Sequence, residues 1–155
     1  MYRISDDIYN AITGTITIQE VSCDMCNMIL DSVKKLYVDP ESKGGLLWER
    51  LNSYEALADN NGWLYIQEFV QDDSCIMFFN QDDEKKMFRI SNGKDLHYIL
   101  SETCGYEFYI TDKKCSYLLC FTHHDVLMAC GNAKIWLSNL RREILAGGVH
   151  LGDIN

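Results

Sequence analysis

The chain has 155 residues, the length of one domain. Hydrophobic residues make up 47% and charged residues 24%, an ordinary globular composition that argues against disorder, and a single proline with ten glycines excludes collagen-like and proline-rich linker classes. Lys and Arg number 14 against 23 Asp and Glu, and the net charge of -9 argues against general nucleic-acid binding, which needs basic charge to displace counterions from phosphates.

The N-terminal sequence MYRISDDIYNAITG has no basic region followed by an apolar stretch, so no secretory signal is expected there. No apolar run approaches the ~18–20 residues of a membrane span. A cytoplasmic protein with no membrane contact is expected. Seven cysteines, an odd number, cannot all pair within one chain, and most sit inside apolar runs, as free thiols in a reducing compartment do.

Charge divides the chain. Residues 1–62 carry a net charge of -5, residues 63–112 carry -6, and residues 113–155 carry +2. One domain is expected throughout: a mostly helical part over 1–62, a sheet with helices over 63–146, and a loose tail over 147–155.

Ser5, followed by Asp6 and Asp7, reads as the N-cap of a short helix that buries Ile8 and Ile12 and closes at Gly14. Ile18, Val21, Met25, Met28, Ile29, Val33 and Leu36 recur at steps of three and four, which predicts one amphipathic helix over 18–37. Asp39-Pro40 and Gly44-Gly45 mark a loop, LLWERL a helical turn, and Asn60-Asn61-Gly62 a break. WLYIQEFV after the break fits a short helix better than a strand.

The period then changes. CIMFFN, KMFRIS, YEFYIT, SYLLCFT and DVLMAC have strand length and strand composition. QDDEKK, TDKKCS and HHD read as hairpin connections. Asn92-Gly93 leads into a helix with Leu96, Ile99 and Leu100 on one face, and Gly131 opens a last helix that Gly147-Gly148 stops. The fold class is α+β: N-terminal helices, an antiparallel sheet of about five strands with one inserted helix, and a C-terminal helix packed on the sheet. Helices on one face would leave the other face partly free.

Three clusters carry chemical interest. Cys23-Asp-Met-Cys26 is a C-x-x-C, but zinc needs two further ligands at suitable spacing. A redox role needs the motif at a helix start after a strand, whereas the periodicity puts it mid-helix. No metal or other cofactor is therefore expected. His123-His124-Asp125 pairs imidazoles with a carboxylate, the material of a general base or a metal-dependent hydrolase, yet adjacent strand residues point to opposite faces, and a hairpin turn in which Asp125 and a histidine bond to the backbone is the preferred reading. Asp72, Asp73, Asp82, Asp83 and Glu84 flank the first hairpin and could form a negative patch, extended by Glu68, Glu102 and Glu107, that steers a basic partner. Trp48 and Tyr54, in an irregular segment, are the aromatic candidates for anchoring it. No P-loop, G-x-G-x-x-G or nucleophile elbow is present.

The stretch from Trp63 to Leu137 holds WLYIQEF, CIMFFN, FRISNG, EFYITD and YLLCFTHHDVLMACGNAKIWL, with H-H-D followed by G-x-A-x-x-W-L. It covers about half the chain and resembles small, acidic, uncharacterised bacterial proteins and, more distantly, the SUKH-type immunity proteins that neutralise secreted toxins. The resemblance implies a non-enzymatic protein-binding module, an inhibitor of a basic toxin domain, with His123-His124-Asp125 as a hairpin feature. A metal-dependent hydrolase and an acidic inhibitor that imitates nucleic acid are the alternatives.

Overall fold

A computed structural model describes residues 3–103 and 105–147. The expected tail, apart from Gly147, and Cys104 and His150 lie outside these residues.

Five α-helices and seven strands are present among the described residues: α1 (Ile4–Ala11), β1 (Ile18–Glu20), α2 (Cys23–Tyr37), β2 (Glu55–Ala58), α3 (Ile66–Val70), β3 (Cys75–Phe78), β4 (Phe88–Ile90), α4 (Gly93–Glu102), β5 (Phe108–Thr111), β6 (Tyr117–Phe121), β7 (Val126–Gly131) and α5 (Ala133–Leu145). Short 3-10 turns cover Leu47–Arg50 and Gly62–Tyr65. The strands form one sheet in the order β1-β4-β3-β5-β6-β7-β2, antiparallel at every pairing.

The five expected strands are β3 to β7. The two additional ones are the sheet's edges, and both come from the segment read as mostly helical. Ile16 and Ile18 alternate with Thr15 and Thr17, a period of two that ends the helical reading of 18–37 at its N-terminal side. Ser22 then caps α2, its hydroxyl accepting from the Met25 N–H at 3.3 Å. The C-x-x-C therefore sits in the first turn of a helix that follows a strand, and not mid-helix. β2 is EALA, a composition poor in strand formers, and it is a strand because β7 offers it four paired positions. Arg141 reaches from α5 to bond the Ala56 carbonyl at 2.9 Å and the Glu55 carboxylate at 2.8 Å, which occupies polar groups of this edge strand.

Ser5 is not a cap. It lies inside α1, and its N–H donates to Glu84 Oε1 at 2.9 Å, so a carboxylate 79 residues away satisfies the open helix end. In α2 the inward residues are Ile29, Val33 and Tyr37, with Cys26 and Leu30 partly covered. Met28 and Leu36 of the expected stripe face solvent, at 61% and 53% exposure.

The sheet is covered on both faces, in contrast to the expected half-free sheet. Met77, Ile110, Leu119 and Ala129 pack with α1, α3, α4 and α5, while Ile76, Phe78, Tyr109, Leu118, Cys120 and Met128 pack with α2 and Leu51. Strands buried on both faces read as continuous apolar runs, and CIMFF and YLLCF have that form.

Two hairpins share a turn geometry. Cys115 N–H donates to Asp112 O and Asp125 N–H to Thr122 O, each at 3.0 Å, and the closing residues Cys115 and Asp125 have φ of 54° and 59°. The chain turns at Gly131, the last residue of β7, φ 63°, where a Cβ would lie 2.6 Å from Tyr37 Oη and 2.7 Å from the Ser116 carbonyl. Tyr37 cannot move away cheaply, because it donates to Cys115 O at 2.6 Å. Gly131→Ala is expected to lose about 2–4 kcal/mol in urea unfolding, from the positive φ and the clash together, and adding Tyr37→Phe recovers only part of it because the Ser116 carbonyl remains in place.

Candidate functional site

Strand direction decides which loops meet. β3 and β6 run toward one end of the sheet and β5 and β7 start from it, so Asn80, Glu107 and the Thr122–Asp125 turn gather there. Asp59, just past β2, joins them by donating its N–H to Asp125 O at 2.9 Å. Trp48, in the 3-10 turn on the α2 side, approaches the same point.

At the centre lies Glu107, 6% exposed. Its Oε1 accepts from Asn80 Nδ2 at 2.8 Å and Trp48 Nε1 at 3.1 Å. Its Oε2 accepts from the His123 N–H and stands 2.7 Å from His123 Nδ1. Burial alone would raise the Glu107 carboxyl, but the bonds from His123, Asn80 and Trp48 outweigh it and hold the group below its ordinary 4.5. An ionised carboxylate only accepts, so Nδ1 of His123 carries a proton and, in the neutral ring, Nε2 is the acceptor. Tyr109 extends the network, its hydroxyl donating to Asn80 Oδ1 at 2.8 Å and accepting from the Trp48 N–H at 3.2 Å.

The two histidines form a partly exposed ring cluster. The His123 side chain is 58% exposed, its ring centroid lies 3.9 Å from that of His124, and the Trp48 ring stands edge-on to both at 6.1 and 6.0 Å. The turn thus brings the adjacent imidazoles together. They do not assemble a metal site: among the described residues no three His, Cys, Asp or Glu side chains converge closely enough to hold an ion. His123 turns to Glu107, and the pair has the orienting geometry of a general base.

Beside this network opens a cleft of about 960 Å³. Trp63, Leu100, Tyr106, Phe108 and Phe121 supply apolar walls, Ser101, Thr103 and Thr122 add hydroxyl-bearing residues, and Asp82, Asp83, Glu107 and Asp125 are the acids that line it. No lysine or arginine lines it among the described residues.

The expected acidic set does not form one patch. Asp82 and Asp83 border this cleft, whereas exposed Asp72 and Asp73 precede β3 and so lie at the opposite end of the sheet. The extended run from residue 74 to 79 separates the pairs by about 20 Å, at ~3.3 Å per residue. Glu84 is buried and serves α1, accepting from the Ser5 and Lys86 N–H groups, which hold its carboxyl below the ordinary range against the effect of burial. Trp48 belongs to the network, while Tyr54, 48% exposed, precedes β2 at the far end. In the sequence Glu107 reads as surface charge. The contrary sign is parity, since Glu107 shares the inward face of Tyr109, two residues on. Asn80 and the aromatic wall of the cleft carried no local signal.

A family model described as "Family of unknown function (DUF6756)" matches residues 11–141. The chain belongs to that family. The match spans Trp48, Glu107 and the whole histidine turn, so the site lies inside the family's domain. No curated protein and no solved structure matches the chain. Among the described residues no helix is long and apolar enough to cross a membrane.

Glu107→Gln is expected to cost about 2–3 kcal/mol, because the substituted amide brings N–H donors among groups that already donate. The folded protein binds fewer protons at Glu107 than the unfolded chain below pH 4.5, so this contribution is present above that pH and is lost as pH falls through the depressed folded value. Acid titration of urea stability should be flatter in the variant over that window.

His97 adds a second acid-sensitive point. Its ring stacks on Trp63 at 5.6 Å, its Nδ1 is buried without a hydrogen-bond partner, and burial lowers its pKa below 6.5. Stability should therefore decline as pH falls from 6.5 toward the lower folded value. His97→Phe should remove that slope, as followed by unfolding midpoints across the range.

Proposed function

We propose that this chain is a non-enzymatic protein-binding module whose docking point is the cleft at the Glu107 end of the sheet. The observation that carries the reading is the composition of that cleft: aromatic walls together with Asp82, Asp83 and Asp125, and no lysine or arginine among the described residues that line it. Such a surface suits an arginine or lysine side chain, whose apolar stem packs on aromatic rings while its charge meets carboxylates. The net charge of -9 adds long-range attraction for a basic partner. The Glu107 network supports the reading because it ties the Asn80 loop and the His123 turn, which both border the cleft, to the Glu107 segment before any partner arrives, so less ordering entropy is lost on binding.

An immunity-type inhibitor of a basic bacterial toxin domain is the form of this reading to which the resemblance to SUKH-type proteins leads. In that form the cleft takes one basic anchor of the toxin, and the acids around it set the association rate.

An arginine-rich peptide serves as probe, with binding measured by calorimetry and by tryptophan fluorescence. Binding is expected at low salt and weakens as salt rises. Asp82→Lys with Asp83→Lys should weaken it about tenfold, while Asp72→Lys with Asp73→Lys should leave most of the affinity. Absence of binding at low salt would overturn the proposal, as would equal losses from the two pairs, because equal losses report only net charge.

A further inference from the structure

The four deeply placed cysteines differ from the C-x-x-C pair. Cys75, Cys115, Cys120 and Cys130 are buried, and burial pushes Cys75 and Cys130 up to about 12, with Cys115 and Cys120 also raised. Protonated, enclosed thiols of this kind are inert. Cys23 is exposed at the first residue of α2, and Cys26 lies one turn further in and partly buried. The Cys26 thiol donates back to Val21 O at 3.6 Å, toward the β1–α2 junction. Burial is the largest cause that raises the Cys26 thiol, and the neighbouring Cys23 is the second.

Residues three apart on a helix place their Cβ atoms about 5–6 Å apart, and a disulfide requires about 3.5–4.5 Å. The remaining approach of about 1–2 Å falls in the first turn, where the Cys23 N–H has no intrahelical partner and the backbone is least constrained. Among the described residues no third His, Cys, Asp or Glu side chain converges on the pair to complete a metal site.

We propose that Cys23 and Cys26 form a reversible dithiol–disulfide couple, with Cys23 as the attacking thiol, Cys26 as the resolving thiol and a low-molecular-weight disulfide as oxidant. The Cys23 thiolate attacks one sulfur of the small disulfide, forming a mixed disulfide and expelling one small thiolate. Cys26 loses its proton to solvent and attacks Sγ of Cys23, closing the internal disulfide and expelling the second small thiolate. Two electrons pass from the protein to the small disulfide, which leaves as two thiols after each takes a proton. A closed pair would staple the first turn of α2, the helix that covers one face of the sheet. An exposed bond in a helical turn is easily reduced, so the couple suits sensing or exchange better than permanent cross-linking.

The test uses the full chain carrying Cys104→Ser, equilibrated in mixtures of reduced and oxidised glutathione, quenched with acid, alkylated and mapped by mass spectrometry. Trypsin isolates the peptide between Arg3 and Lys34, which holds only these two cysteines. That peptide is expected to lose two hydrogens as the oxidised fraction rises and to recover them with dithiothreitol, while Cys75, Cys115, Cys120 and Cys130 stay reduced. Cys26→Ser and Cys26→Ala should both stop at the mixed disulfide, so the glutathione adduct on Cys23 rises several-fold over the parent. Agreement between those two replacements separates loss of the resolving thiol from local misfolding. A stable adduct on Cys23 in the parent, or failure of the peptide to oxidise, would overturn the assignment.

Discussion

A single carboxylate, buried and ionised, receives N–H groups from three chain segments that are far apart in sequence. Glu107 holds Asn80 from the end of β3, Trp48 from the 3-10 turn and His123 from the β6–β7 hairpin. A charge at that depth is costly unless its lone pairs are filled, and here each oxygen accepts twice. The arrangement is therefore fully satisfied or strongly unfavourable, with little between, and it links the loops into one unit. The position of the histidine pair and one wall of the cleft depend on it.

The sheet provides the frame for that carboxylate. Antiparallel order turns alternate strands toward one end, so four strand termini and the residue past β2 meet there without a long connection. Helices on both faces leave the strand ends as the accessible part of the sheet. In each β6 and β7 residue pair one side chain enters one core and its neighbour enters the other, as with Leu118 and Leu119. Polar chemistry is thus displaced to the loops, where backbone groups and a few inward polar side chains share hydrogen bonds. Glu84 shows the same economy at a second point: it was expected on the surface and instead closes the N-terminal end of α1.

Acidic composition takes on a spatial meaning only in the folded chain. Residues 63–112 carry a net charge of -6, yet β3 separates their two aspartate pairs and only one of them borders the aromatic cleft. The histidine turn and the Asp82–Asp83 pair, which belong to separate clusters in the sequence, become neighbours because β3 and β6 point the same way. Cys23 and Cys26 change meaning in a comparable manner, through the strand that precedes them.

The sequence by itself determined the α+β class, the strands β3 to β7, the turns between them and the helices α4 and α5, because each rests on a local signal: apolar runs, turn residues, or a 3.6-residue period closed by glycine. It also determined the total charge and the short connection at His123. Tertiary structure decided the two edge strands, since Ile18–Glu20 and Glu55–Ala58 become strands only through the partners β4 and β7. It alone decided that Glu84 and Glu107 face inward and that Asp72 and Asp82 lie at opposite ends of the sheet. The physical reason is common to all of these: pairing across a sheet and closure of a buried hydrogen-bond network join residues separated by tens of positions, and no periodicity within a short window records which distant group will supply the partner.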